Sequence, residues 1–175
     1  MTMQTDVLSG HLNNSGIIAN SVGRTRLRGV LYTGTATAGS VTVWDTTSAP
    51  ISATYGRSAT LVTITKTAHG LTTGQAVGID FAVASGSSAT DGNYIITVVD
   101  ADTFTVTDSN SGTIATSTGC TYVVAVPSNP TTWVTSIDTA AAQPMYVKFP
   151  GEGIICHQAI YLTMSNMTGV TVFYG

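Results

Sequence analysis

The chain has 175 residues, a formal net charge of −3, 43% apolar residues and only 9% charged residues, against roughly 25% charged in average globular usage. That is chain enough for one ordinary domain or two small ones. The acidic balance gives no case for general nucleic-acid binding, and no apolar run reaches the roughly 18 residues of a membrane-spanning helix.

Hydroxyl side chains stand where charges usually would, with 32 Thr and 16 Ser. Thr is β-branched and suits a pleated, half-exposed surface. Glu152 is the lone glutamate, and Lys66 and Lys148 are the two lysines, whereas surface helices draw on many of both. The composition therefore predicts an all-β protein. Its start, MTMQTDVLSGHLNNSG, lacks the basic stretch and apolar run of a secretory signal. Cytoplasmic synthesis follows as an expectation, and with it free thiols at Cys120 and Cys156.

In chain order, residues 1–22 are polar and weakly patterned, with Asn13, Asn14 and Gly16 breaking any period. They read as a flexible end or as an arm that orders on a neighbouring subunit. Leu27 to Thr33 is the first firm strand. Arg24, Arg26 and Arg28 lead into it at spacing two, so an extended chain points all three to one face. They hold half of the positive charge. That face is either an edge guarded by charge or a patch that docks on an acidic partner. Thr35 to Ser40 is a turn and Val41 to Trp44 a strand. Pro50 to Ser58 then reads as a connector between breakers.

From Leu61 to Thr107 the strand and turn signals are clearest. Leu61 to Thr65 is a β-branched strand, and Ala68 to Gly74 a loop with two glycines free to take positive φ. Gln75 to Phe81 is a strand, Ala82 to Ala89 a small-residue loop expected to be mobile, and Asn93 to Val99 a strand after the Asp91-Gly92 turn. Asp100 to Thr103 sits at hairpin spacing before a strand that begins at Phe104. Asp108 to Gly112 reads as a further turn and Cys120 to Val126 as the closing strand. Pro127 and Pro130 bracket a second connector that can be neither helix nor central strand. Strands follow at Thr132 to Ile137, Pro144 to Phe149, Ile154 to Leu162 and Val170 to Tyr174, with turns at Pro150 to Gly153 and Ser165 to Gly169.

Groups that carry chemistry are sparse. His11, His69 and His157 are far apart and show no metal-ligand spacing. His69, before Gly70, is read as a turn-stabilising hydrogen-bonder. Asp100 and Asp102 could share a cation with Asp91 or Asp108, but Asp is also favoured in turns because it bonds its own backbone. Tyr146, Tyr161, Trp133 and Trp44 could line a sugar site, although strand aromatics commonly belong to a core. One Glu and turn-bound Asp residues do not make the carboxylate pair of a glycan hydrolase. No catalytic residue, metal ligand or cofactor site is expected.

Two stretches carry a resemblance. The central TITKTAHGLTTGQAV, DGNY and VVDADTFTVT segments resemble a small β-module that recurs in tailed-bacteriophage structural proteins. The flanks RLRGVLY, ATAGSVTVWD, FPGEGI, AIYL and GVTVFYG look like those of short phage virion proteins. The resemblance implies a β-sandwich, jelly-roll-like, formed by residues 23–50 and 131–175. A small β-rich domain, 51–130, would be inserted at a hairpin, and 1–22 would be an arm. It further implies a non-enzymatic head decoration or cement protein located in the virion and assembled in the host cytoplasm. Its partners would be the major capsid protein or other virion subunits, and it would be a homo-oligomer, a trimer by preference, with no direct nucleic-acid or membrane contact. A tail, neck or fibre component and a carbohydrate-binding module are the alternatives. Arg24, Arg26 and Arg28 are the expected docking residues.

Overall fold

The computed structural model describes residues 7–20, 24–82, 87–140 and 143–175. The fold is all-β with antiparallel sheets. In chain order the strands are β1 (Leu8–Leu12), β2 (Gly16–Asn20), β3 (Thr25–Gly34), β4 (Gly39–Asp45), β5 (Ile51–Thr65), β6 (Ala76–Phe81) and β7 (Gly92–Ile95). They continue as β8 (Thr97–Val98), β9 (Thr103–Val124), β10 (Trp133–Thr139), β11 (Pro144–Lys148), β12 (Ile154–Cys156), β13 (Ala159–Ser165) and β14 (Met167–Tyr174). The chain divides into two compact units, residues 1–49 with 134–175, and residues 50–133.

The first unit is a sandwich of two sheets. Among the described residues, one sheet has the order β1-β14-β3-β11, with β12 also on β3, and the other β10-β4-β13-β2. Side chains of a strand alternate between its two faces, and each sheet turns its apolar set inward. Leu27, Val30 and Tyr32 of β3 and Val170 and Val172 of β14 meet Val41 and Val43 of β4 and Ile160 and Leu162 of β13. The residues expected to form an arm are in part strands of this sandwich. Leu8–Leu12 pairs with β14 and Gly16–Asn20 with β13. Two short runs, one in each sheet, satisfy their backbone groups at an edge without a strong apolar period of their own. Residues 1–6 and 21–22 of that arm lie outside the described residues.

The β12–β13 turn hangs on one carboxylate. Asp45, at the end of β4, is 2% exposed and accepts the backbone N–H groups of His157, Gln158 and Ala159 at 2.6, 2.7 and 3.2 Å. A buried carboxylate is tolerated when its lone pairs are filled in this way.

Strands β4 and β10 are neighbours in one sheet although the whole second unit lies between them in sequence. Thr42 faces Ser136 through a 3.2 Å hydroxyl pair, and the Thr139 hydroxyl donates to the Gly39 carbonyl at 3.3 Å. The second unit is thus an insertion at the tip of an antiparallel pair.

The second unit has the sheet order β5-β9-β6-β7, with β8 on β9. Its core joins Val62, Ile64, Val77, Ile79, Ile96 and Val106 to an aromatic group. Phe81 packs edge-on against Tyr55 at 4.7 Å, and Phe104 against Tyr122 at 5.5 Å. Two expectations give way here. The connector expected at Pro50 to Ser58 is the first half of β5, a 15-residue strand. The turn expected at Asp108 to Gly112 lies within β9, a 22-residue strand. The pairing register shifts between Tyr55 and Arg57 and again between Ala59 and Leu61. These β-bulges let small and polar residues continue the strand while bending it. The loop expected to be mobile falls partly on residues 83–86, outside the described residues.

The way out of this unit is tied down. Asn93 Oδ1 accepts the N–H of Thr132 at 2.9 Å and of Trp133 at 3.1 Å, and its Nδ2 donates to the Trp133 carbonyl at 3.0 Å. The Thr132 hydroxyl donates to the Val123 carbonyl at 3.2 Å. Beneath them is Gly78 of β6, where a Cβ would stand 2.5 Å from both Thr132 Oγ1 and Trp133 N. Glycine inside a strand marks a close approach of backbone.

Cys120 and Cys156 are free and buried, one in each unit, and burial pushes both thiols up to about 12. The thiolate is the reactive form. Neither cysteine should therefore react with Ellman's reagent at pH 8 in the folded protein, and each should react once its unit unfolds. Rapid native labelling of either would contradict this burial. Gly78→Ala should lower the denaturant midpoint for Cys120 exposure, at a cost of about 1–3 kcal/mol. Gly119→Ala is the comparison, since a Cβ there meets nothing within 4 Å.

Candidate functional site

The three sequence-flagged arginines come together on the outer side of the first unit. Thr25 and Leu27 are buried, while Arg24 is exposed and Arg26 and Arg28 half-buried. The alternation slips once: β14 places Tyr174 opposite Leu27 but Phe173 opposite Gly29. After that slip Val30 and Tyr32 point inward, and Leu31 and Thr33 are exposed.

An aromatic step adjoins the arginines. A Cβ on Gly29 would meet Tyr146 Oη at 2.7 Å and its Cε2 at 2.9 Å, so the Tyr146 ring lies across Gly29. Phe173 meets that ring edge-on, with centroids 5.6 Å apart and planes at 89°. Tyr146 remains 52% exposed. Sequence reasoning named Tyr146 among the aromatics that could line a sugar site and missed this stacking. Its one signal was a glycine inside a strand.

Charge on this face is only partly neutralised. Arg26 Nη2 pairs with Glu152 Oε2 at 3.0 Å, with side chains 33% and 78% exposed. A pair so solvated is worth about 0–1 kcal/mol and yields to a competing carboxylate. Arg28 Nε is buried without a hydrogen-bond partner in the described structure.

The other flagged residues are engaged in holding turns. Leu71 N–H donates to His69 Nδ1 at 3.0 Å, and His69 Nε2 donates to the Asp100 carbonyl at 3.0 Å. That pattern selects the Nε2–H tautomer. Asp100 Oδ1 accepts the N–H groups of Asp102 and Thr103, both at 2.8 Å, and Asp102 Oδ1 accepts that of Ala68 at 2.8 Å. The bond from the Asp102 N–H, followed by those from Thr103, holds the Asp100 carboxyl below its ordinary value. A shallow depression of about 350 Å³ opens beside this turn, between His69, Leu71 and Val98. Asp91 Oδ1 accepts the Phe81 N–H at 2.8 Å. His11 Nε2 donates to Asn13 Oδ1 at 2.8 Å, and its Nδ1 lies 2.9 Å from the Thr171 hydroxyl. Among the described residues, no group of three His, Cys, Asp or Glu stands where it could hold a metal. The three sandwich aromatics weighed for a sugar site do not share one sheet. Trp44 is fully buried with its indole N–H on Thr163 Oγ1 at 3.0 Å, Tyr161 pairs with it across β13 and β4, Trp133 closes the second unit, and Tyr146 lies on the other sheet.

The strongest electrostatic feature is internal and was missed by the sequence reading. Arg57 and Asp108 pair at 3.2 Å with side chains 1% and 0% exposed. Arg57 also donates to the carbonyls of Ala59, Ser87, Ser88 and Asn110. Asp108 accepts the N–H groups of Thr90 and Asn110. The pair staples the 87–90 segment to both long strands, with every partner inside the unit. No protein-family model, curated protein or solved structure matches the chain.

Burial alone would raise the Asp108 carboxyl, but the N–H bonds from Asn110 and Thr90 and the Arg57 charge outweigh it, and the carboxyl sits below its ordinary value. A depressed carboxylate contributes stability that is complete above its unfolded value, about 3.9, and lost as pH falls through the folded one. The denaturant midpoint of the second unit should hold down to about pH 4 and drop below it. Asp108→Ala should remove that acid-dependent component and cost about 3–5 kcal/mol at pH 7, by leaving Arg57 buried and unpaired. An unchanged midpoint would contradict this role.

Proposed function

We propose that the protein is a non-enzymatic structural component of a tailed-bacteriophage particle. It acts as a head decoration or cement protein that docks on the capsid or a neighbouring virion subunit through the outer face of β3. The observation that carries this reading is the alignment of Arg24, Arg26 and Arg28 on one outward face of a protein with net charge −3. The phage-like central segment and flanks support the particle assignment. The histidine and aspartates best suited to chemistry are committed to turns and to the buried pair, which favours a scaffold over a reaction centre. A carbohydrate-binding reading draws on the half-exposed Tyr146 ring, since an aromatic face can stack on a sugar.

Capsids stripped of this protein separate the two readings by cosedimentation. The variant Arg24→Ser/Arg26→Ser/Arg28→Ser should bind about ten-fold more weakly than wild type, summing a few tenths to 1 kcal/mol per exposed contact. Wild-type binding should weaken with salt, because exposed charges are screened over about 8 Å at physiological ionic strength. Undiminished binding of the triple variant would overturn arginine docking. Loss of binding to host glycans in Tyr146→Ala, with capsid binding absent throughout, would establish the alternative.

A further inference from the structure

We propose that the outer edge of β5 is a self-association surface, on which a second copy of this chain adds its own β5 antiparallel about a two-fold axis near Thr63. Among the described residues β5 pairs on one side only, with β9. The N–H and C=O groups of its other side form a row that another strand can complete.

Proteins usually blunt such an edge with charge, proline or bulges. The one charged side chain in β5, Arg57, is turned inward and spent on Asp108. No proline interrupts the strand. Both register shifts fall before Leu61, which leaves Leu61–Thr65 as an unbulged stretch. It reads Leu-Val-Thr-Ile-Thr, alternating exposed or half-exposed Leu61, Thr63 and Thr65 with fully buried Val62 and Ile64. Leu61 is 49% exposed.

The occupant follows from the chemistry of the edge. A charge-free, β-branched stretch presents nothing to select a charged partner, and it does not repel itself. Antiparallel addition of identical strands is isologous, so each residue meets its symmetry mate's counterpart. The sheet's opposite edge, β7, has four residues, so pairing through β5 closes at two copies and does not propagate into a ribbon. This contact is two-fold, unlike the trimer the phage resemblance implies, and it holds whether or not the capsid reading does.

The test uses the full chain in light scattering coupled to size exclusion, across micromolar to millimolar concentration. Wild type should approach twice the 18.0 kDa subunit mass. Thr63 lies half-exposed opposite Thr105, so a longer side chain there has solvent to enter. Thr63→Lys and Thr63→Glu should each raise the dimer dissociation constant at least about ten-fold, since like charges then face each other across the axis. An equimolar mixture of the two should restore the dimer. A Cys120 thiol that stays protected shows that each variant is folded; if it does not, the Leu61→Lys and Leu61→Glu pair is read the same way. A single-subunit mass for wild type throughout, a mass of three subunits, or a dimer unchanged in both charged variants would overturn the proposal.

Discussion

The pairing of β4 with β10 is the constraint on which the rest of the molecule depends. These two strands are neighbours in one sheet, yet the chain between them runs from Pro50 to Trp133. Closing a flexible stretch of roughly 80 residues would cost about 4 kcal/mol of chain entropy, a large fraction of a typical 5–15 kcal/mol stability. Folding of the insert shrinks that cost. Ile51 at the start of β5 pairs with Tyr122 near the end of β9, and Asn93 of β7 then fixes Thr132 and Trp133 close over Gly78 of β6. The insert carries its own core and pairs its own strand ends, so the sandwich depends on its folding, while a self-contained core makes no matching demand on the sandwich.

The insert in turn depends on Arg57 and Asp108. A buried ion pair is a poor source of net stability, because desolvation cancels much of the attraction. Its value here is positional. Arg57 reaches four carbonyls besides Asp108, and they come from three parts of the unit: β5 itself, the 87–88 segment and β9. Arg26 and Glu152 show the contrast. They are solvated, contribute little, and leave the guanidinium open to exchange with another carboxylate. In a chain with so few charges, one arginine is spent inside and three lie at the start of β3, Arg24 exposed and Arg26 and Arg28 half-buried.

Much of this was legible in the sequence where β-branched residues alternate. Leu61 to Thr65, Gln75 to Phe81, the hairpin around Asp100 and the strand ending at Tyr174 were all readable from period and turn chemistry. So were the local bonds of His69 to Leu71 and of Asp100 to Asp102 and Thr103, because short-range side-chain-to-backbone bonds are encoded locally, whereas the bond from Ala68 to Asp102 spans 34 positions. Pro50 to Ser58 and Asp108 to Gly112 were misread for one reason: Ser, Gly, Asp and Asn signal turns, but bulges and the buried pair carry strands through them. Asp108 is a turn signal only until Arg57, 51 positions earlier, is placed against it. Gly29 and Gly78 likewise reveal their purpose only when Tyr146 and Thr132 arrive from elsewhere in the chain.

The one-way dependence of sandwich on insert is tested most directly by thiol exposure in destabilised variants. Cys156 reports on the sandwich and Cys120 on the insert. When Asp108→Ala unfolds the insert, the sandwich should lose about 2–4 kcal/mol, read as earlier Cys156 labelling in denaturant. When Asp45→Ala loosens the sandwich, the denaturant midpoint for Cys120 labelling should stay at the wild-type value. Cys156 labelling that ignores the state of the insert, or Cys120 labelling that follows the loss of Asp45, would contradict the account.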